Sequence, residues 1–117
     1  MGGDIGATAK GAVLGVLRGT KEVGGEAMDT IGVSAGAVVK TTAEVGGDVG
    51  AAAKGAVEGA IAGAKEIGVD AEEAASAAAS GALKAAGDVS TTAVEQVRRA
   101  LTGTISGVKV VLKEPFK

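Results

Sequence analysis

The feature that most constrains the fold is an internal repeat. With an offset of 44 residues, residues 3–24 and 47–68 are identical at 14 of 22 aligned positions. The unit itself is 22 residues long, because five consecutive segments align without insertion: 3–24, 25–46, 47–68, 69–90 and 91–112. We therefore treat residues 3–112 as one array of five units, followed by a C-terminal tail, 113–117.

Three positions of the unit are apolar in every copy. The first column holds Val13, Ala35, Val57, Ala79 and Leu101, the second Leu17, Val39, Ile61, Leu83 and Ile105, and the third Val23, Val45, Ile67, Val89 and Val111. A period of 22 is twice 11, and 11 residues complete three α-helical turns. The alternation of polar and apolar residues that marks a half-buried strand is absent. The period therefore predicts an all-α fold of amphipathic helices.

The repeat leaves two helical arrangements open. The doublets Gly24-Gly25 and Gly46-Gly47 favour helix ends at those points, since glycine is common just past a helix end. Acidic residues follow at the starts of units, where the helix dipole favours them. Further breaks are expected near residue 68 and at 87–88. The alternative is long continuous helices, because the 22-residue spacing keeps one face in phase along a straight helix.

Two segments near the C-terminus also have predicted structures. The alanine-rich residues 71–86 predict a helix, as do residues 91–106, which carry apolar residues at helical spacing. We expect this last helix to end before Pro115.

The first unit has two distinct faces and a glycine edge. At 100° per residue, its apolar face consists of Ile5, Ala9, Ala12, Val13, Val16, Thr20 and Val23. The opposite face consists of Lys10, Leu14, Arg18, Lys21 and Glu22. Between them runs a row of glycines spaced by four, present in two copies: Gly11, Gly15 and Gly19, then Gly55, Gly59 and Gly63.

The two glycine rows are the predicted helix-packing interface. Each glycine inside a helix costs about 1 kcal/mol relative to alanine, so a recurring row needs a structural reason. Small residues at this spacing let two helix backbones approach closely. The alternative is that the glycines only keep a low-complexity chain flexible.

Composition excludes most functional chemistry. The chain has no Cys, His, Trp or Tyr, so the usual zinc sites and nucleophile–base pairs are absent, and we predict no catalytic, cofactor or metal residue. A net charge of −2 does not suit nucleic-acid binding. Two acidic triplets, Glu22/Glu26/Asp29 and Glu66/Asp70/Glu73, are interpreted as solvated helix faces rather than weak cation sites. No apolar stretch approaches the roughly 20 residues of a transmembrane helix.

Short segments resemble known amphipathic repeat families. Residues Gly19-Thr20-Lys21-Glu22-Val23-Gly24-Gly25 and Ala64-Lys65-Glu66-Ile67-Gly68-Val69 resemble the eleven-residue repeats of synucleins. The 22-residue period is similar to that of exchangeable apolipoproteins. The Ala/Gly/Thr/Lys/Glu bias resembles late-embryogenesis-abundant proteins and bacterial hypothetical repeat proteins. These resemblances imply surface-seeking amphipathic helices and transfer no functional residue.

The sequence thus predicts a non-enzymatic structural or scaffold protein. It is expected to form a homo-oligomer or to dock on a larger protein assembly. The alternative is a peripheral protein of a lipid or granule surface, and in either case the expected location is cytoplasmic. Pro115 and Phe116 are the predicted anchor of the tail on a neighbouring helix or a partner, with a frayed terminus as the alternative.

Overall fold

The computed structural model describes residues 4–20 and 24–112, so the predicted anchor Pro115 and Phe116 lies outside the described residues. Within that part, five helices are followed by a small antiparallel hairpin. The helices are α1 (Ile5–Gly19), α2 (Gly25–Glu44), α3 (Val49–Ile67), α4 (Ala71–Val89) and α5 (Thr91–Leu101). The strands are β1 (Thr104–Ile105) and β2 (Val108–Lys109). The all-α prediction is confirmed, and the helices are separate rather than continuous.

Local capping explains where most helices begin. The side chains of Asp4, Asp48 and Asp70 accept hydrogen bonds from backbone N–H groups in the first turns of α1, α3 and α4. Ser90 Oγ does the same for α5, accepting from Ala93 N at 3.0 Å. Such caps satisfy donors that the helix itself leaves unpaired.

Three of the four expected helix breaks lie at glycines, and the fourth does not occur where it was expected. Gly24, Gly46 and Gly68 have positive φ angles, which glycine adopts without strain, and each lies at a helix boundary. The expected break at 87–88 is wrong, because α4 continues to Val89 and the chain turns at Ser90. Ser90 is both the last cap of α4 and the first cap of α5, which lets two helices meet without a loop.

The predicted helix over 91–106 is too long. It ends at Leu101, and three positive φ angles follow, at Gly103, Ser106 and Gly107. These angles turn the chain into the hairpin, in which Thr104 pairs with Lys109. Ile105 nevertheless stays buried, so the second apolar column reaches the core from a strand instead of a helix.

The core is built from the first two apolar columns. All ten residues of these columns are buried, whereas Val45, Val89 and Val111 of the third column are exposed. The face predicted for α1 is therefore partly wrong. Val16 is 44% exposed and Ala12 is exposed, while Leu17 is buried with Ala9 and Val13. α1 rests on the core through the narrower stripe of Ala9, Val13 and Leu17.

Helices two apart in the chain form the closest pairs. Gly55 and Gly59 of α3 meet Gly6 and Lys10 of α1, so the contacts advance in the same direction along both helices. α1 and α3 are therefore parallel, and equivalent contacts between Gly32 of α2 and Gly81 of α4 pair those helices. α3 contacts all four other helices and lies at the centre of the fold.

Candidate functional site

The second glycine row packs directly against a helix backbone. A Cβ atom added at Gly55 would collide with the carbonyl oxygen of Gly6, and one added at Gly59 would lie 2.5 Å from that of Lys10. A Cβ at Gly63 would collide with the Leu17 side chain. At Gly55 and Gly59 the obstacle is the backbone of α1, so a side chain there requires the two helices to move apart, whereas at Gly63 it is the flexible Leu17 side chain.

The first glycine row contacts no other helix of the described chain. A Cβ atom added at Gly11, Gly15 or Gly19 would meet no described atom within 4 Å outside α1. Gly15 follows Gly6 by nine residues, which is two and a half turns of an α-helix at 3.6 residues per turn. The two glycines therefore lie on opposite sides of α1. Because Gly6 faces α3, the first row faces away from it. No described helix covers this side of α1.

The α2–α4 pair shows the same difference between a packed helix face and an uncovered one. Gly81 of α4 packs against the Gly32 backbone of α2, but Ala37, its counterpart 44 residues earlier, is exposed. Val33 and Thr41 lie one turn to either side of Ala37 and are exposed too, Val33 by 73%. We call these two uncovered helix faces the open edge. It consists of Gly11, Gly15 and Gly19 on α1 and Val33, Ala37 and Thr41 on α2.

An apolar groove runs between α1 and α2 beside the open edge. Its volume is about 450 Å³ and its lining includes Ala37 and Thr41 of the edge. All its other described lining residues are also uncharged: Ile5, Thr8, Ala9, Ala12, Val38, Thr42 and Val45. Val45, at one end, is 78% exposed. The groove therefore continues the open edge as an uncharged surface of small residues.

The other side of the α1–α3 pair is covered. Gly50 of α3 is the counterpart of Gly6, and a Cβ atom added there would lie 3.2 Å from the Gln96 carbonyl oxygen. The Ala100 Cβ lies 3.4 Å from the same position. α5 thus occupies the face of α3 that corresponds to the α3-binding face of α1. Among the described residues, this face of α3 is covered and the first glycine row of α1 is not.

The described ionisable groups were compared with the arrangement that a metal ion requires. Within residues 4–20 and 24–112, no group of three or more acidic, His or Cys residues is arranged to hold a metal ion. Two members of the second acidic triplet have other roles, since Asp70 caps α4 and Glu66 pairs with Arg18. Glu22 of the first triplet lies outside the described residues.

The ion pair joins the C-terminal ends of α1 and α3. Arg18 donates two hydrogen bonds to the Glu66 carboxylate, Nε to Oε1 at 3.0 Å and Nη2 to Oε2 at 2.8 Å. Hydrogen bonding from the guanidinium lowers the pKa of Glu66, and the same contact raises the pKa of Arg18. Both side chains are exposed, so the pair orients α1 on α3 more than it stabilises the core.

Comparisons with known proteins add no family to these observations. No protein-family model, curated protein or solved structure matches the chain. The resemblance to synucleins, exchangeable apolipoproteins and late-embryogenesis-abundant proteins therefore has no support from these comparisons. In the described part of the chain, no helix has the length and apolar character needed to cross a membrane.

The two glycine rows allow a matched substitution test. We expect Gly59→Ala to lower the free energy of unfolding by about 1–3 kcal/mol, because the added Cβ overlaps the Lys10 carbonyl oxygen. Gly15→Ala, at the equivalent repeat position, should raise it by about 0.5–1 kcal/mol, because alanine favours the helix and meets open space. Urea unfolding followed by far-ultraviolet circular dichroism measures both, at a protein concentration low enough for the chain to be monomeric. Equal effects of the two substitutions would contradict the difference in packing.

The ion pair predicts an acid-sensitive contribution to stability. The lowered pKa of Glu66 stabilises the folded state above the unfolded pKa of about 4.3, and this contribution is lost as the pH falls through the lower folded value. Glu66→Gln should therefore be less stable than the wild type at neutral pH, with the difference shrinking in acid. Urea unfolding at several pH values tests this. In the Arg18→Gln background, which removes the partner, Glu66→Gln should have little pH-dependent effect.

Proposed function

We propose that this chain is a non-enzymatic structural protein that self-associates through its open edge. The observation that carries the proposal is the relation between the two glycine rows. Residues at equivalent repeat positions bury a helix backbone in α3 and face open space in α1. The open edge thus presents to its surroundings the same kind of surface that the protein uses internally to hold two helices together.

Several properties of the edge favour another protein helix as its partner. The edge has no long side chain on α1, so a helix backbone can approach it as α3 approaches α1. The neighbouring groove has an uncharged lining, which avoids the cost of burying unpaired charge. A second copy of the chain supplies an edge of the same chemistry, and a two-fold interface is the commonest way for identical subunits to meet.

Docking on a lipid surface is less well supported. Helices that lie in a membrane interface usually present large apolar or aromatic residues on one face and Lys or Arg on the other. The open edge instead consists of Gly, Ala, Val and Thr, which bury little area each. The exposed valines Val33 and Val45 are the features that a lipid surface would bind. A cytoplasmic location stays a prediction.

Size-exclusion chromatography with light scattering tests self-association. We expect the wild type to elute as an oligomer and Gly15→Leu to weaken association at least tenfold. Overpacking costs about 1–3 kcal/mol, and 1.4 kcal/mol corresponds to tenfold. Ala37→Glu should have a similar effect by placing a charge in the interface. Both substitutions add side chains at uncovered positions, so circular dichroism should show an intact fold.

Lys10→Ala is the matched control, because it removes an exposed side chain of α1 and keeps the carbonyl on which Gly59 packs. It should associate like the wild type. A wild-type chain that stays monomeric at all accessible concentrations would overturn the proposal. If such a monomer co-sediments with vesicles and Ala37→Glu does not, the lipid alternative replaces it.

A further inference from the structure

The α5 helix and the hairpin together cover one side of the α3–α4 pair. Gly50 of α3 lies against α5, because a Cβ atom added there would be 3.2 Å from the Gln96 carbonyl oxygen. On α4, Ser76 Oγ donates a hydrogen bond to the Val111 carbonyl oxygen at 3.3 Å. We call residues 91–112 the covering segment. The surface beneath and beside it is the covered face, which consists of Gly50, Lys54 and Ser76.

The α3 part of the covered face is the repeat equivalent of the α1 surface that receives α3. The backbone of Gly6 and Lys10 in α1 contacts the second glycine row. The residues 44 positions later are Gly50 and Lys54, so the same residue types recur at both points. Lys10 is exposed and does not prevent the contact, and Lys54 is exposed too. The features that let α1 accept a glycine row are therefore also present on α3.

The α1 half of the open edge matches this part of the covered face. The first glycine row lies 44 positions before the second, as Gly6 and Lys10 lie 44 positions before their equivalents on α3. The internal contact therefore has a counterpart between two copies, in which Gly11 lies on Gly50. One turn further along, Gly15 lies on the Lys54 backbone.

The α2 half of the open edge matches the α4 part in the same way. Within the chain, Gly81 of α4 packs on the Gly32 backbone of α2. Ala37 lies 44 positions before Gly81 and is exposed. Ser76 lies 44 positions after Gly32 and is bonded to Val111 of the covering segment. Both halves of the open edge thus have an equivalent binding surface, and the covering segment contacts both surfaces.

We propose that the covered face is a second binding surface for the open edge of another copy, and that the covering segment blocks it. The inference rests on the proposed function in taking the open edge as an interaction surface. Two open edges that meet around a two-fold axis close the assembly, whereas an edge on a covered face is a head-to-tail contact that can be repeated. The covering segment therefore limits the growth of the assembly.

The covering segment occupies this face without a glycine row of its own. α5 contains no glycine, and its position equivalent to Gly55 is the exposed Arg99. Gly103, the equivalent of Gly59, has a positive φ and lies beyond the end of α5. α5 is held instead by buried apolar side chains, among them Leu101. Truncating such a side chain weakens the covering segment and leaves the residues of the covered face unchanged.

A binding assay with one-sided variants tests this inference. The acceptor is Gly15→Leu/Leu101→Ala, in which the open edge is overpacked and the covering segment is weakened. The probe is wild type labelled at its N-terminal amine, at a concentration where it is monomeric. Sedimentation velocity should show that the probe binds this acceptor about tenfold more tightly than Gly15→Leu alone, in which the covering segment is intact. Labelled Gly15→Leu is the matched control probe and should bind the acceptor about tenfold more weakly than labelled wild type.

Hydrogen exchange and a second variant show whether α5 has opened. The α5 amides should exchange faster in the acceptor than in Gly15→Leu alone. A second acceptor carries Gln96→Pro in place of Leu101→Ala, because proline in the middle of a helix breaks it. An acceptor whose α5 opens without binding the wild-type probe would overturn the proposal. Equal binding of both probes would also overturn it, since general adhesion to exposed apolar residues does not require the open edge.

Failure of this proposal is distinguishable from failure of edge-to-edge self-association. A wild type that self-associates but does not bind the opened acceptors would overturn the proposal and leave the edge-to-edge contact in place. A wild type that stays monomeric alone and binds the opened acceptors would support the proposal and overturn edge-to-edge association.

Discussion

Backbone contact at glycine is the interaction on which the fold depends. Among the described residues, the core contains no aromatic side chain, and its largest fully buried side chains are Leu, Ile and Val. Helices that carry mostly Ala at their interfaces bury enough area only if their axes come close together. Gly55 and Gly59 allow this between α1 and α3, and Gly81 allows it between α2 and α4. The intrinsic cost of each helical glycine, about 1 kcal/mol, is offset by the packing it permits.

Because the chain is a repeat, the same contact can form between each helix and the helix two units away. The array therefore has two sides, one for each direction along the chain. Each helix can offer one face to the helix two units ahead and the opposite face to the helix two units behind. On the later side, α5 covers α3 near Gly50, and the hairpin places Ile105 in the core. On the other side, no described helix covers the equivalent faces of α1 and α2. The proposed interaction surface consists of these uncovered faces.

The sequence alone determined the fold class and most of the largest fully buried side chains. The 22-residue period identified the first two apolar columns, and all ten of their residues are buried. These predictions succeeded because helical periodicity and burial on one face follow from local geometry. The breaks at Gly24 and Gly46 were also predictable, since positive φ and helix ends are local properties of glycine. The hairpin was missed because positive φ angles at Gly103, Ser106 and Gly107 interrupt a spacing that still matches a helix.

Only the tertiary structure decided which glycine row packs against a helix. Gly15 and Gly59 occupy equivalent positions in closely similar segments, so no local signal distinguishes them. Their environments differ because α1 packs on α3 along the second row, whereas no described helix packs on α1 along the first. Val16 and Val33 are likewise exposed although both are apolar. Periodicity specifies which faces of a helix are able to pack, but whether a face is covered depends on which other helices are present to cover it.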